Sequence, residues 1–366
     1  MSGFARELIA WFRDNGRELP WRQTHDPYAI WLSEIILQQT RIQQGWAYWE
    51  RFMQRWPTVE ALAEATEDEV LREWQGLGYY SRARNLHTAA RQIVASGGFP
   101  TTLEGIRALK GVGDYTAAAI ASIAFDIPAA VVDGNVYRVL SRYFGISTPI
   151  NSSEGKKEFA ILAQSLLDEI EETNHTSFHF SSSSLYNQAL MDFGAIQCTP
   201  QSPRCLLCPL QESCVALREG RVGELPVKLR KLKVKERRLT YIYIRCQGET
   251  AIHRRGEGDI WQGLWEPLLL EEEEWKKEKG ERKKVEGEWR IENGAVHNHS
   301  PFSIIHSQLL RQNVKHVLTH RVIYADFWLC ETKEKPSVPD GYIWIAESDI
   351  SNYAVPRLVE ILLESL

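Results

Sequence analysis

The sequence has no run of about 18 apolar residues, so it offers no segment that would cross a bilayer as a helix, and no membrane partner is expected. The opening residues, Met1-Ser2-Gly3-Phe4-Ala5-Arg6-Glu7, lack the apolar core of an export signal. Positive charge is not in excess: 43 Lys/Arg stand against 48 Asp/Glu, a net charge of −5, which is not the profile of a simple polyanion binder. The imbalance is local instead. From Gly223 to Arg238 seven Lys/Arg face two Glu, so a basic strap joins two acidic halves, either as a solvated linker or as a segment lying along a phosphate backbone. Cysteine is scarce, six in 366 residues, but four of the six fall between positions 198 and 214. Strand signals are missing through residue 222, and no internal repeat is evident.

What is present up to residue 222 reads as helix after helix. Phe4, Leu8, Trp11 and Phe12 have helical spacing, and Leu19-Pro20-Trp21-Arg22 with His25-Asp26-Pro27 ends that helix. A helix is expected from about Tyr28 to Gln44 and another from Gly45 to Trp56. Thr58 and Thr66 read as caps, the latter with Glu69 in a capping box. Gly76-Leu77-Gly78-Tyr79-Tyr80-Ser81 is a glycine-bracketed turn, followed by a helix over 82–95 and a short one over 102–109. After Pro226 the character changes. Leu239–Ile244, Val322–Leu329 and Tyr342–Ile345 alternate and are β-branched or aromatic, as strands are, and 356–366 reads as a closing helix. The stretch Glu271–Glu288 is nearly all Glu, Lys, Arg and Gly, the composition of an insertion or an exposed helix.

The densest signal spans 109–135. Leu109-Lys110-Gly111-Val112-Gly113 joins two helices through a tight turn, and the second, Tyr115 to Phe125, is rich in Ala and Ile without Gly or Pro. Such a turn presents backbone N–H groups at a helix N-terminus, which suits a phosphate. Asp133 precedes the apolar-periodic run from Val136 and is a natural N-cap. The four clustered cysteines are spaced Cys198-x6-Cys205-x2-Cys208-x5-Cys214, a thiolate set for a metal centre, either zinc or iron–sulfur, whereas Cys246 and Cys330 read as ordinary buried thiols.

With these pieces together, residues 4 to about 225 resemble the helix-hairpin-helix DNA glycosylases of the endonuclease III superfamily. The resemblance implies an all-α glycosylase domain in which Cys198, Cys205, Cys208 and Cys214 hold one [4Fe-4S] cluster. It also implies that Lys110, Gly111, Val112 and Gly113 grip a DNA phosphate, with a monovalent cation at the hairpin. Within the superfamily the details are similar to the MutY family, which excises adenine opposite 8-oxoguanine. Ser33-Glu34-Ile35-Ile36-Leu37-Gln38-Gln39-Thr40 resembles that family's Ser-Glu-x-x-Leu-Gln-Gln-Thr segment. Tyr115 stands where bifunctional relatives carry the lysine that attacks the sugar.

The resemblance assigns catalysis to Glu34, Asp133, Tyr115 and Asn135, with Tyr115 bonding near Asp133. Contact with DNA falls to Leu37, Gln39, Thr40 and Tyr79, and lesion reading to Thr319 and His320 in a C-terminal α+β, Nudix-like domain. Leu318 replaces the family's usual aromatic there. Gly263-Leu264-Trp265-Glu266 is not followed by the carboxylates of a working Nudix box, so no pyrophosphatase activity is expected. The implied partner is duplex DNA bearing an 8-oxoguanine:adenine mispair, met by a monomer in a bacterial-type cytoplasm, at the nucleoid. The expected plan is a cluster domain from 1–27 and 134–222, a six-helix barrel over 28–133, a linker over 223–238 and the Nudix-like domain over 239–366.

Breaking an N-glycosidic bond leaves an oxocarbenium-like sugar and an anionic base, so a proton donor and a negative charge are needed, a pair of carboxyls in the manner of glycoside hydrolysis. Glu34 sits among Trp31, Leu32, Ile35 and Ile36, where its charged form is disfavoured, and Asp133 at a helix N-terminus is favoured ionised. Three other readings exist: a bifunctional glycosylase/lyase, opposed by Tyr115; a silent iron–sulfur DNA-binding protein, opposed by the presence of both carboxyls; and a Nudix hydrolase, opposed by the missing box.

Overall fold

The computed structural model of the protein describes residues 3–173, 182–229, 235–271, 307–318 and 321–366. Chain contacts divide it into two compact units, one of Met1–Glu64 with Asn85–Lys231, the other of Ala65–Arg84 with Leu232–Leu366. In chain order the helices are α1 (Gly3–Asn15), α2 (Pro27–Leu37), α3 (Ile42–Arg55), α4 (Val59–Glu64), α5 (Glu67–Trp74), α6 (Ser81–Ala95), α7 (Leu103–Arg107), α8 (Asp114–Phe125), α9 (Gly134–Phe144), α10 (Ser153–Thr173), α11 (Ser182–Asp192), α12 (Val215–Arg218) and, near the C-terminus, α13 (Arg357–Leu363). Among the described residues no helix is long and apolar enough to cross a membrane.

The first unit is built around α8. Every residue from Thr116 to Ile123 is buried, as expected of a helix that is apolar on all sides. Four of those eight are alanines, whose small side chains let α2, α7 and α11 pack against one helix at close range. Trp31 and Ile36 on α2 are fully buried in the same core.

One helix boundary differs from the expected one. The break falls at Gln38–Arg41, not at Gln44–Gly45: Gln39 takes φ +58, while Gly45 lies inside α3. A Cβ on Gly45 would lie 2.6 Å from Leu37 Cδ2, so this glycine serves close packing rather than chain reversal.

The path into Asp133 is held by one buried amide. Asn187 on α11 donates to Ser122 Oγ (2.9 Å) and the Ala129 carbonyl (2.8 Å), and its oxygen accepts from the Val131 N–H (3.2 Å). The extended segment 129–132 has no helical partners of its own, and these bonds satisfy it in the core.

The second unit contains a mixed sheet of β1 (Lys235–Cys246), β2 (Glu249–Arg254), β3 (Trp265–Glu266), β4 (Leu268–Glu271), β5 (Ser307–Val317), β6 (Arg321–Thr332) and β7 (Tyr342–Ala346), in the order β3-β2-β1-β6-β5, with β4 on β1 and β7 on β2. β1 and β6 run parallel, Lys235 opposite Arg321 through Cys246 opposite Thr332. Lys235 to Arg238, four residues of the basic strap, are therefore strand rather than linker. Leu239, Tyr241 and Tyr243 point into the core. The Arg255–Glu266 ion pair lies buried at 2.6 Å, with Tyr241 donating to Glu266 (3.2 Å) and Asp259 accepting from Arg255 (2.7 Å). α5 and the Gly76–Ser81 turn belong to this unit. Cys246 and Cys330 are buried free thiols, as expected. Thr319, His320 and the charged stretch beyond Glu271 lie outside the described residues.

Replacing Asn187 with Ala strands the Ala129 carbonyl and the Val131 N–H, while Ser122 Oγ keeps its bond to the Ala119 carbonyl (3.3 Å). The expected loss is about 3 kcal/mol, at about 1–3 kcal/mol per orphaned buried group with some relief from relaxation. It is measured as the midpoint shift of the urea transition of the helical unit followed by far-UV circular dichroism; an unchanged midpoint would remove Asn187 from this role.

Candidate active site

Glu34, Tyr115 and Asp133 meet in the first unit. Glu34 projects from α2 and Tyr115 from the first turn of α8, where the Tyr115 hydroxyl donates to Glu34 Oε2 at 2.9 Å. The tyrosine thus bonds Glu34, whereas Asp133 was the expected neighbour; Asp133 acts on it only through charge. Burial pushes the Glu34 carboxyl up to about 7, the Asp133 charge adds to the rise, and Tyr115 and Arg22 partly oppose it. A carboxyl in that position holds its proton near neutral pH. Burial, with the negative charges of Glu34 and Asp133, also raises Tyr115 well above the ordinary phenol value, so it remains a hydroxyl donor.

Asp133 caps α9. Its Oδ1 accepts from the N–H groups of Asn135 (2.8 Å) and Val136 (2.7 Å), and its Oδ2 accepts from the Asn135 side-chain amide (2.8 Å). Burial raises its pKa and these bonds lower it, with a net direction upward, so desolvation outweighs the helix terminus that the sequence suggested would dominate. Both oxygens nevertheless accept N–H bonds, which is the pattern of the ionised form.

The Asn135 oxygen accepts from Arg138 (2.7 Å), and Arg138 also donates to the carbonyls of Gly194 (2.6 Å) and Cys198 (2.6 Å). Gly194 is required by proximity: a Cβ there would stand 2.6 Å from Asn135 Cβ.

Sequence reasoning missed the arginine pair behind Glu34. Arg22 donates from two nitrogens to Asp192 (both 2.8 Å), and Arg17 donates to the same carboxylate through its backbone N–H (2.9 Å) and its guanidinium. Burial opposes the charge on Asp192, but these donors pull it down to about 2. Arg22 is thereby fixed where its charge acts on Glu34. The only local signal was a charged residue closing the apolar Leu19-Pro20-Trp21 turn.

The expected DNA-facing residues fall in three places. Leu37 and Thr40 are half-buried and Gln39 is exposed at the α2–α3 break. The hairpin is formed as expected: Val112 is buried, Lys110 and Gly113 are exposed, and Gly113 heads α8 without a side-chain cap. Gly111 has φ +79, and a Cβ on it would lie 2.7 Å from Asn85 Cβ, so backbone angle and space both demand glycine. Tyr79, in the second unit, is 48% exposed and takes φ +48, a left-handed conformation rarely tolerated by a side chain of this size.

Four cysteines line one pocket among Val139, Phe193, Leu210 and Leu217. Cys198 follows a π-helical turn over Phe193–Gln197, and Cys214 heads α12. Arg142 reaches Cys198 Sγ at 3.4 Å and donates to the Thr199 (2.8 Å) and Leu225 (3.0 Å) carbonyls, pinning the loop. Burial, with the neighbouring sulfurs adding to it, pushes Cys208 up to about 11 and raises Cys205 and Cys214. Four sulfurs lining one pocket are the donor set of an iron–sulfur cluster.

Comparison with known proteins agrees with these features. Residues 32–164 match the HhH-GPD superfamily of base excision DNA repair proteins, 198–214 the iron–sulfur binding domain of endonuclease III, and 240–365 the NUDIX domain. The cysteines are thus those of a [4Fe-4S] domain. The chain is 33% identical over 265 residues to the adenine DNA glycosylase of Buchnera aphidicola, covering 72% of this chain and 73% of that one. It is 42% identical over 240 residues to that of Rattus norvegicus, covering 62% of this chain and 44% of the rat protein. With the Schizosaccharomyces pombe protein of that name the identity is 29%, over 97% of this chain and 87% of that one. Among solved structures, a thermostable thymine-DNA glycosylase superposes with a TM-score of 0.52 at 30% identity, over 59% of this chain and 95% of that one. The buried glutamate, the capped aspartate, the glycine hairpin and the four-cysteine loop accordingly sit in a chain that belongs to the adenine DNA glycosylase family of the HhH-GPD superfamily.

Proposed function

We propose that the protein is a monofunctional glycosylase that hydrolyses the bond between adenine and deoxyribose where adenine is mispaired with 8-oxoguanine or guanine in duplex DNA, and that it works as a monomer. The observation that carries this reading is the pair of unlike carboxyls: Glu34 buried and bonded by the Tyr115 hydroxyl, Asp133 bonded by three N–H groups. Adenine leaves the base stack to reach them. Glu34 gives its proton to the base, which departs neutral. Asp133 faces the cationic sugar and stabilises it or bonds to C1′, after which water completes hydrolysis. Asn135 orients the Asp133 carboxylate through its side-chain amide.

Tyr115 supports the monofunctional reading, since a phenol cannot form the Schiff base of a lyase and here it bonds Glu34. Leu37, Gln39 and Tyr79 wedge into the gap left by the extruded base or contact the lesion strand. Lys110 to Gly113 hold a phosphate through the hairpin, whose carbonyls also offer a place for a monovalent cation, and Thr319 and His320 read the oxidised guanine. When bound, the iron–sulfur cluster supplies thiolate–metal bonds that order the Cys198–Cys214 loop. Arg138 and Arg142 bond the carbonyls that begin that loop.

Single-turnover excision from duplexes with adenine opposite 8-oxoguanine, guanine or thymine tests the assignment. Release opposite the first two, with strand breaks only after alkali, is expected; breaks without alkali would establish a lyase instead. Glu34→Gln keeps affinity for the mispaired duplex and loses excision by about 100-fold or more, the scale of a missing general acid. Turnover near the wild-type rate would remove Glu34 as the proton donor.

The pH profile follows from the Glu34 carboxyl at about 7. The active form is protonated, so the single-turnover rate should fall about tenfold per pH unit above that value, one proton being lost. Below it the rate should hold until Asp133 takes a proton, at a pH above the ordinary aspartate value. A rate that rises through pH 7 would contradict the assignment.

A further inference from the structure

Residues 65–84 lie inside the span that matches the glycosylase superfamily, yet they pack with the C-terminal domain. Three sets of contacts tie them there. At the head of α5, Glu67 and Asp68 flank the Arg254 guanidinium of β2 at 3.0 and 2.9 Å. At its end, the Gln75 side chain donates to Glu360 on α13 (2.5 Å) and accepts from the Val355 N–H (3.3 Å). Beyond the turn, Arg84 donates to the Gln262 carbonyl at 2.6 Å. Gly263 has φ +83, and a Cβ on it would lie 3.0 Å from Leu71 Cδ1, so this loop approaches α5 about as closely as glycine permits.

Between those anchors runs the Gly76–Tyr79 turn. Gly76, Gly78 and Tyr79 all have positive φ. Trp74 Nε1 and Arg82 both donate to the Gly78 carbonyl (3.0 and 3.3 Å), and the Arg82 guanidinium lies over the Trp74 and Tyr79 rings at 5.1 and 5.6 Å. A tyrosine persists in the left-handed region only where its surroundings over-determine it. Here the stretches on both sides of the turn are bonded to the C-terminal domain.

We infer that Arg254, Glu360 and the Gln262–Gly263 corner are positioning residues for Tyr79, so that the C-terminal domain sets the geometry of a DNA contact encoded in the glycosylase part of the sequence. The inference rests on the proposed reading that Tyr79 touches the lesion strand.

A double-mutant cycle on the full chain tests it. The probe is a duplex with a non-cleavable adenine analogue opposite 8-oxoguanine, and the readout is affinity. Tyr79→Ala should weaken binding about tenfold, as loss of a stacking contact does. Gln75→Ala with Arg254→Ala should weaken it about threefold, since partly exposed polar pairs are individually weak. The variant carrying all three changes should bind like Tyr79→Ala alone, and Arg254→Lys, which keeps the charge between Glu67 and Asp68, should bind within about twofold of wild type. Multiplied losses in the combined variant would overturn the inference, because the anchors would then act on DNA without Tyr79. Unchanged affinity in Tyr79→Ala would overturn it too. Absence of adenine excision by the wild-type chain is a separate outcome that fails the proposed function.

Discussion

Three N–H groups converge on the carboxylate of Asp133, and much of the site follows from holding it there. Two of them are the opening amides of α9, so the helix cannot start elsewhere without releasing the charge. The third belongs to Asn135, whose oxygen accepts from Arg138 Nη2, a nitrogen shared with the Gly194 carbonyl, while Nε of the same arginine goes to the Cys198 carbonyl and Nη1 to that of Gly134. Glu34 shows the converse. It is desolvated as well, but its described donor is a single phenol, so its proton stays. Two carboxyls of ordinary intrinsic acidity, both desolvated, thus meet opposite influences through the number and kind of donors each receives, the N–H groups favouring the ionised form of Asp133 more than one phenol favours that of Glu34.

Those constraints extend along α9. Arg138 and Arg142 are four residues apart and so lie on one helical face. Both are buried, and both donate to carbonyls of the segment that begins at Gly194. A buried guanidinium is stable only if its fork of donors is matched, and irregular backbone around a cluster offers unpaired carbonyls that need donors. The helix that begins at Asp133 therefore also anchors the cysteine loop.

Legibility in the sequence followed the range of the interaction. The Asp133 cap bonds residues two and three positions away, and the Thr66 capping box three, so local pattern was enough for both. The hairpin glycines and the cysteine spacing are likewise short-range. Arg22 and Asp192 stand 170 positions apart, and no periodicity joins them. Gly45 was misread because a glycine that admits Leu37 and one that turns the chain look the same on paper. Lys235 to Arg238 carry the charge of a linker yet are strand, because β6 pairs with them in parallel. β5 went unseen because it is mostly exposed and its register shifts between Leu309 and Arg311 and again before Val314, which erases the two-residue period. The MutY-like motif at Ser33–Thr40 named Glu34, but only the fold supplied Tyr115 as its partner.

Burial of Glu34, Asp133 and Tyr115 has a structural cost that the core around α8 offsets. Desolvating two carboxyls and a phenol opposes folding, and the alanine face of α8 recovers part of that by close packing with α2, the helix that carries Glu34. The same small side chains bring Tyr115, on the first turn of α8, within reach of Glu34. A larger residue on the side of α8 that meets α2 would separate the two helices and lengthen the hydrogen bond that joins Tyr115 to Glu34. Packing of the core and placement of the proton are in this respect one constraint, carried by the least conspicuous side chains in the sequence.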